Sequence, residues 1–287
     1  MKFTQLQEKL GKLDKKDWHQ HKNGGGWVNN LAKVDDTAFI GENAIVISGN
    51  AQVSGNARVY GDARVYGDAR VYGDAWVYGD AQVSGNARVY GDARVYGNAW
   101  VYGDAQVYGD AWVYSDARVY GDARVYGDAR VYGDAQVSGN ARVYGDARVY
   151  GDARVYGNAW VYGNAWVYGD ARVYGDARVY GNARVYGDAW VYGNAWVSGN
   201  ARVYGDARVY GTAQVSGDAW EKSPLFIVGS KHSLTNAKYG HIQIGCHCKT
   251  IDWWLENYED VGKKENYTAE EINEYGEYIK LFKKVGK

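Results

Sequence analysis

Valine recurs at every sixth residue from Val53 to Val215, 28 times without a miss. Alanine keeps the same period from Ala51 to Ala219, and glycine keeps it from Gly49 to Gly217 with Ser115 as the one exception. A helix cannot use a period of six, and a glycine in each word would cost it about 1 kcal/mol every time. Read as Ala-Arg-Val-Tyr-Gly-Asp, one word is a four-residue strand followed by a corner. Ala and Val face one side of that strand, Arg and Tyr the other. Gly-Asp is corner chemistry, since glycine tolerates positive φ and the Asp side chain bonds nearby backbone. Ala and Val make too thin an apolar face to close a core singly, whereas many words stacked about a common axis do close one.

A six-residue repeat of this kind predicts an all-β solenoid, a parallel β-helix. Three words make a triangular coil of 18 residues, so Val28 to Trp220 supplies about 11 coils, stacked about 4.8 Å apart. Before the perfect array the period is looser, through Val28, Val34, Ile40 and Val46, and a one-residue slip puts Ile47 in phase with Val53. Val followed four residues later by Ala, as in Val65 and Ala69, resembles the hexapeptide repeat of left-handed β-helix proteins. The left hand is what that resemblance implies, against the usual right-handed crossover.

If one coil is three words, the outward position that varies between Arg, Trp and Gln forms three columns. One reads Arg58, Trp76, Arg94, Trp112, Arg130, Arg148, Trp166, Arg184, Arg202, Trp220. In the others Trp160 and Trp196 flank Arg178, and Trp190 lies between Arg172 and Arg208. No two tryptophans are column neighbours and each has an arginine beside it, which predicts guanidinium–indole stacking worth about 0.5–1 kcal/mol per pair. Tyrosine at the second outward position builds ladders of its own, interrupted by Ser54, Ser84, Ser138, Ser198 and Ser216. Four of these five serines follow Gln in the word "QVSG", a coupling the sequence does not explain. Tyr, Trp and Arg dominate binding hot spots, so Trp76, Trp112, Trp160, Trp166, Trp190, Trp196, Arg94 and Arg178 are the candidate binding residues. The competing reading is that the ladders only reinforce parallel strands.

Corner acids Asp116, Asp134, Asp152, Asp170, Asp188 and Asp206 recur once per coil and form a rail. Arginines two residues on, such as Arg118, Arg154, Arg172 and Arg208, are the expected counter-ions. A calcium rail is the sharper alternative, disfavoured because calcium-binding repeats have a nine-residue period. Residues 51–220 carry 18 Asp and 16 Arg, and the whole chain has a net charge of -1. That balance disfavours both a nucleic-acid binder and an acidic nucleic-acid mimic. No apolar run approaches the ~18 residues of a membrane span, and the N-terminal segment lacks the apolar core of a secretory signal.

Many hexapeptide-repeat proteins are acyltransferases, and the resemblance implies a histidine base on the coil beside a protruding loop. Residues 48–220 hold neither a histidine nor an inserted loop. His19, His21, His232, His241 and His247 all lie outside the array. The expectation is therefore a non-enzymatic structural or binding protein without a cofactor. An acetyl-CoA-dependent acyltransferase, acting at an oligomer interface or through the C-terminal module, is the alternative. A protein partner is expected, with homo-oligomerisation left open.

The ends read differently. Residues 1–27 predict a helical cap, with an amphipathic helix over 4–16, and residues 28–220 the β-helix. Residues 221–287 predict a small α+β module with strands at 225–229 and 241–246, a helix from near Thr250, and another opened by the Thr268/Glu271 capping pattern. Cys246, His247 and Cys248 are weak metal candidates, since zinc needs about four ligands and the chain has only these 2 cysteines. The segments "GSKHSLTNAKY", "IGC" and "TIDWWLENY" resemble the C-terminal module of uncharacterised hexapeptide-repeat proteins of phages and prophages. That resemblance implies host cytoplasm or a virion; unpaired cysteines point to a cytoplasmic setting.

Overall fold

The computed structural model describes residues 1–47 and 49–286, in two compact units, Met1–Asn158 and Ala159–Lys287. In the first, helix Phe3–Leu10 is followed by a short strand, Trp18–Gln20, that pairs antiparallel with Trp27–Asn29. The helix is shorter than the expected 4–16, because Gly11 ends it in the left-handed region at φ +87°, and the strand has no counterpart in the sequence pattern. It gives the open edge of the first coil a partner, which an exposed parallel edge requires. Leu6, Trp18, Trp27 and Ile45 form the core beneath it, Phe3 meets Trp27 edge-on at 5.3 Å, and the Trp27 indole donates to the Met1 carbonyl at 3.0 Å.

From there the chain winds as a parallel β-solenoid. Lys33–Val34 and Phe39–Ile40 each start one of three parallel sets, Ile45–Val46 extends the set that Trp27–Asn29 opens, and every later solenoid strand joins the strand three before it. Trp76 stands opposite Arg94 and Val77 opposite Val95, so one coil is three words, as the period predicts. Counted over both units there are about 11 coils. Most ladder strands are two residues long, shorter than the four predicted, although bonds such as Arg58 N–H to Ala75 O at 2.9 Å and Tyr60 N–H to Val77 O at 3.0 Å bracket the longer extended segment. Every valine from Val53 to Val215 and every alanine from Ala51 to Ala213 is fully buried. The corner glycines sit in the left-handed region, and a Cβ added to Gly121 (φ +67°) would lie 3.1 Å from the backbone nitrogen of Gly139 in the next coil. Ser115 adopts the same conformation, at φ +60°, without glycine's freedom.

The expected one-residue slip is present between Val46 and Val53: Val28 stands opposite Val46, but Val34 opposite Val53. Val46, not Ile47, takes the inward position, fully buried and opposite Val65, so this coil is one residue longer than three words. Ser48 lies outside the described residues.

The second unit carries the same three strand sets to a last strand, Ala219–Trp220. There Arg202 stands opposite Ala219 and Val203 opposite Trp220, so the last coil is one residue shorter than three words. This corrects the expected Arg202–Trp220 stack. Asp218 takes the left-handed corner at φ +64° in place of Gly217, which turns Trp220 inward. Its indole is 1% exposed and donates to the Gly217 carbonyl at 2.8 Å. An indole replaces a valine on the core axis and fills the space where a further coil would begin.

Beyond it a four-stranded antiparallel sheet runs in the order Phe226–Val228, Ser233–Lys238, His241–Ile244, His247–Thr250. Ser233–Lys238 and His247–Thr250 were not read from the sequence. Ser233–Lys238 lies against the last coil: Ser216 N–H donates to Ala237 O at 2.9 Å and Tyr239 N–H to Asp218 Oδ2 at 2.6 Å. Helices Ile251–Lys264 and Ala269–Val285 pack on the sheet. Thr250 caps the first helix, and the second opens on the predicted box, with Glu271 N–H to Thr268 Oγ1 at 3.2 Å and Thr268 N–H to Glu271 Oε2 at 2.8 Å. Among the described residues no helix is long and apolar enough to cross a membrane.

Candidate functional site

The outer surface of each unit is built by the two outward positions of the word. In the first unit Trp76 lies between Arg58 at 5.2 Å and Arg94 at 5.0 Å, and Trp112 between Arg94 and Arg130, both at 5.0 Å. In the second, Arg178 stacks on Trp160 at 5.2 Å and on Trp196 at 5.1 Å, Arg184 on Trp166 at 4.7 Å, and Arg172 and Arg208 on Trp190 at 4.9 Å each. The predicted pairing thus forms at all six candidate tryptophans. The candidates do not converge on one patch. In the second unit Trp160, Arg178 and Trp196 share one strand set, Trp166 belongs to another and Trp190 to the third.

Tyrosines stack flat beside these columns. Tyr60, Tyr78, Tyr96, Tyr114, Tyr132 and Tyr150 form one run with ring centroids 4.7–4.9 Å apart. Trp76 meets Tyr60 and Tyr78 edge-on. Burial between neighbouring rings pushes the Tyr96 hydroxyl up to about 12, with Tyr78 and Tyr114 adding to the effect. The serine interruptions now have a reason at two sites. Where Ser84 and Ser138 replace the next ring, Tyr66 and Tyr120 instead donate to Gln82 Oε1 at 3.0 Å and Gln136 Oε1 at 3.3 Å. A ring that loses its stacking neighbour gains a carboxamide, so Gln and Ser change together.

The corner acids depart from expectation. Among the described residues no ion pair joins Asp116, Asp134 or Asp152 to Arg118 or Arg154, although all five line one shallow groove with Gln136. Arg118 lies over Trp100 at 5.7 Å instead. An arginine two residues beyond the corner projects from the flat face, beside the indole of the adjoining coil. Asparagines relieve part of the rail: Asn56, Asn86 and Asn98 donate to Asp74, Asp104 and Asp116 in the next coil at 3.0–3.2 Å. The alternation of Asp and Asn from coil to coil carried that signal in the sequence.

Two concavities stand out. One, in the first unit, is a groove of about 560 Å³ lined by Phe39, Arg58, Trp76 and Arg94 on one side and Asn56, Asp74 and Asp92 on the other, with Asn23 and Thr37 at its end. The second, of about 50 Å³, lies in the C-terminal module over Ile244, Trp254, Val261 and Ile279, and is rimmed by His232, Cys246, His247, Glu265 and Tyr267. Small-molecule sites usually need about 300–1,000 Å³, so the second holds at most a side-chain tip. Its rim is structurally engaged. His232 Nδ1 meets the Tyr267 hydroxyl at 2.6 Å, Lys231 Nζ lies 4.4 Å over the Tyr267 ring, and His247 Nε2 is 3.5 Å from Glu265 Oε1. Cys246 is exposed in a turn, and half-buried Cys248 has its thiol pushed up by burial. Among the described residues no three His, Cys, Asp or Glu side chains converge on a point that could hold a metal.

A search of curated proteins found no match. Two solved acyltransferases are similar to the chain. One is a UDP-N-acetylglucosamine acyltransferase of Arabidopsis, at 10% identity over 69% of this chain and 70% of the enzyme, with a TM-score of 0.35. The other is the Francisella novicida enzyme of the same name, at 13% identity over 89% of this chain and 79% of the enzyme, also with a TM-score of 0.35. The YdcK Beta solenoid repeat matches 13 segments, which together span residues 51–79, 81–109, 117–133, 135–193 and 195–217. Those segments cover more than half of the sequence, and the chain belongs to the YdcK β-solenoid repeat family.

Proposed function

We propose that the protein is a non-catalytic binding scaffold, a rigid solenoid that presents a Tyr/Trp/Arg surface and a C-terminal module to a protein partner. The observation that carries this reading is the use made of the outward side chains. Arg58, Trp76, Arg94, Trp112 and Arg130 are interlocked face to face at 5.0–5.2 Å, which fixes their rotamers before any partner arrives. Preorganised aromatic and guanidinium groups lose little entropy on binding. Residues 48–220 hold no histidine to serve as the base of a hexapeptide-type acyl transfer. The phage association, as spacer, adhesin or inhibitor of a host protein, belongs to this proposal and rests on the C-terminal segments quoted above. The cytoplasmic or virion setting rests on the free thiols Cys246 and Cys248. Calorimetry with acetyl-CoA tests the enzymatic alternative: no heat of binding is expected, and tight saturable binding would overturn the scaffold reading. Capture from host lysate on the full chain, with and without Trp160→Ala and Trp196→Ala, tests the partner surface.

A further inference from the structure

Residues 51–220 contain no Lys, Glu, Leu, Ile, Phe, Met, His, Cys or Pro. What faces out is drawn almost wholly from Asp, Asn, Arg, Gln, Tyr, Trp and Ser. Most of these end in a flat polar or aromatic group: a carboxylate, carboxamide, guanidinium, phenol or indole. Flat two-pronged groups suit pairs of neighbouring hydroxyls, and ring faces suit the C–H faces of sugars. The groove over Phe39 and Trp76 concentrates this chemistry. Arg58 and Arg94 lie flat against the two faces of Trp76, at 5.2 and 5.0 Å. Guanidinium N–H bonds lie in the guanidinium plane, so stacking aims them sideways and leaves them unspent; neither arginine forms an ion pair among the described residues. The Trp76 indole N–H and the Asp92 carboxylate likewise have no hydrogen-bond partner there, and Asp74 receives only the Asn56 amide at 3.2 Å. Phe39, 37% exposed, offers an apolar face at one end. Donors and acceptors alternate across the groove and repeat once per coil, about every 4.8 Å, a step close to that of a linear pyranoside chain.

We infer that this groove binds a linear, neutral polysaccharide. Charge selects against the alternatives, because two arginines face two aspartates. A polyanion would meet Asp74 and Asp92, and a polycation would meet Arg58 and Arg94. The groove volume of about 560 Å³ suits a short stretch of sugar residues. The groove shares Arg58, Trp76 and Arg94 with the surface proposed for a protein partner, but sugar binding and protein capture are read separately, so failure of one leaves the other standing.

The test uses the full chain, calorimetry and tryptophan fluorescence. The neutral probes are cellohexaose, chitohexaose, mannohexaose and maltohexaose, with heparin as the polyanion. At least one neutral oligomer is expected to bind saturably, with little change on adding salt. Trp76→Ala and the near-isosteric Asp92→Asn are each expected to raise Kd by about tenfold or more, while Trp100→Ala, on another strand set, leaves it unchanged. Circular dichroism checks folding, and Asp92→Asn carries the test should Trp76→Ala misfold. Absence of binding by all four neutral oligomers, salt-abolished binding of heparin alone, or equal loss in Trp100→Ala would each overturn the inference.

Discussion

Replacing Ser115 with glycine should stabilise the solenoid. Ser115 occupies the left-handed corner at φ +60°, a conformation held by glycine at Gly97, Gly121 and Gly133. An L-residue there costs about 1–2 kcal/mol relative to glycine. Glycine gives back about 0.4–1 kcal/mol through the greater freedom of its unfolded chain. The net gain is about 0.5–1 kcal/mol, or roughly two- to fivefold in a local opening equilibrium. Gly121→Ala is the mirror experiment and should cost more than that gain. Its Cβ adds a 3.1 Å approach to the Gly139 nitrogen to the backbone strain, a contact the adjoining coil relieves only by moving. Repeat arrays open locally, so hydrogen exchange is the appropriate readout. The relevant amides are Tyr114, bonded to Val131 O at 3.0 Å, and Arg118, bonded to Ala135 O at 2.9 Å. Unchanged or weaker protection of these amides in Ser115→Gly would refute the argument that corner conformation, rather than chance repetition, keeps glycine at this position.

Other perturbations separate the remaining terms. Trp220→Ala removes an indole that is 1% exposed at the end of the coil axis and should cost about 3–5 kcal/mol, seen as lost protection at the Gln214–Val215 strand before any loss in the first unit. A double-mutant cycle on Trp190 and Arg208, 4.9 Å apart, should return a coupling of about 0.5–1 kcal/mol, and a value near zero would reduce the columns to mere adjacency. The tyrosine ladder gives a pH dependence of defined sign. Burial raises Tyr96 from 10.0 to about 12, so the folded state holds its proton where the unfolded state has lost it. The ladder's stabilisation is complete below pH 10 and falls as pH rises from there towards 12, visible as late phenolate absorbance followed by alkaline unfolding.

The period made the coil legible because each word meets the same surroundings as its neighbours. Val125 and Val143 need no tertiary information to be placed inward, and the guanidinium–indole stacks followed from counting three words at a time. Counting failed where a residue's environment stops being periodic. Trp220 looks like one more outward tryptophan, and only the shift at Asp218 turns it inward. Strand Ser233–Lys238 carries Thr235 and Asn236 at buried positions, with no alternating apolar signal. Its polarity is satisfied from outside the strand, by Gln214 N–H to Thr235 Oγ1 at 3.4 Å and by Asn236 Nδ2–H to His241 O at 3.2 Å. The arginines missed their expected carboxylates for a similar reason. Sequence proximity set Arg118 two residues from Asp116, but the indole of Trp100 in the adjoining coil offers a flat face at the height of the guanidinium.

A perfectly repeated coil has no means of ending, because each of its faces invites the next coil. The chain changes coil length by one residue near both ends, covering the outward face of a coil at the start and filling the axis at the far end. Towards the start the coil lengthens by one residue, with Ile45 opposite Arg64 on the outward face, where Ile45 joins Leu6, Trp18 and Trp27 in a core outside the coil that includes the N-terminal helix. Towards the end the coil shortens by one residue, with Val203 opposite Trp220, and an indole fills the axis. The exposed edge groups of the two terminal rungs then take other partners: the antiparallel strand Trp18–Gln20 at one end, Ser233–Lys238 at the other. Edge control confined to the two ends leaves the interior words free of capping duties. Their outward positions can then vary between Arg, Gln and Trp without cost to the fold, which is the property a recognition surface requires.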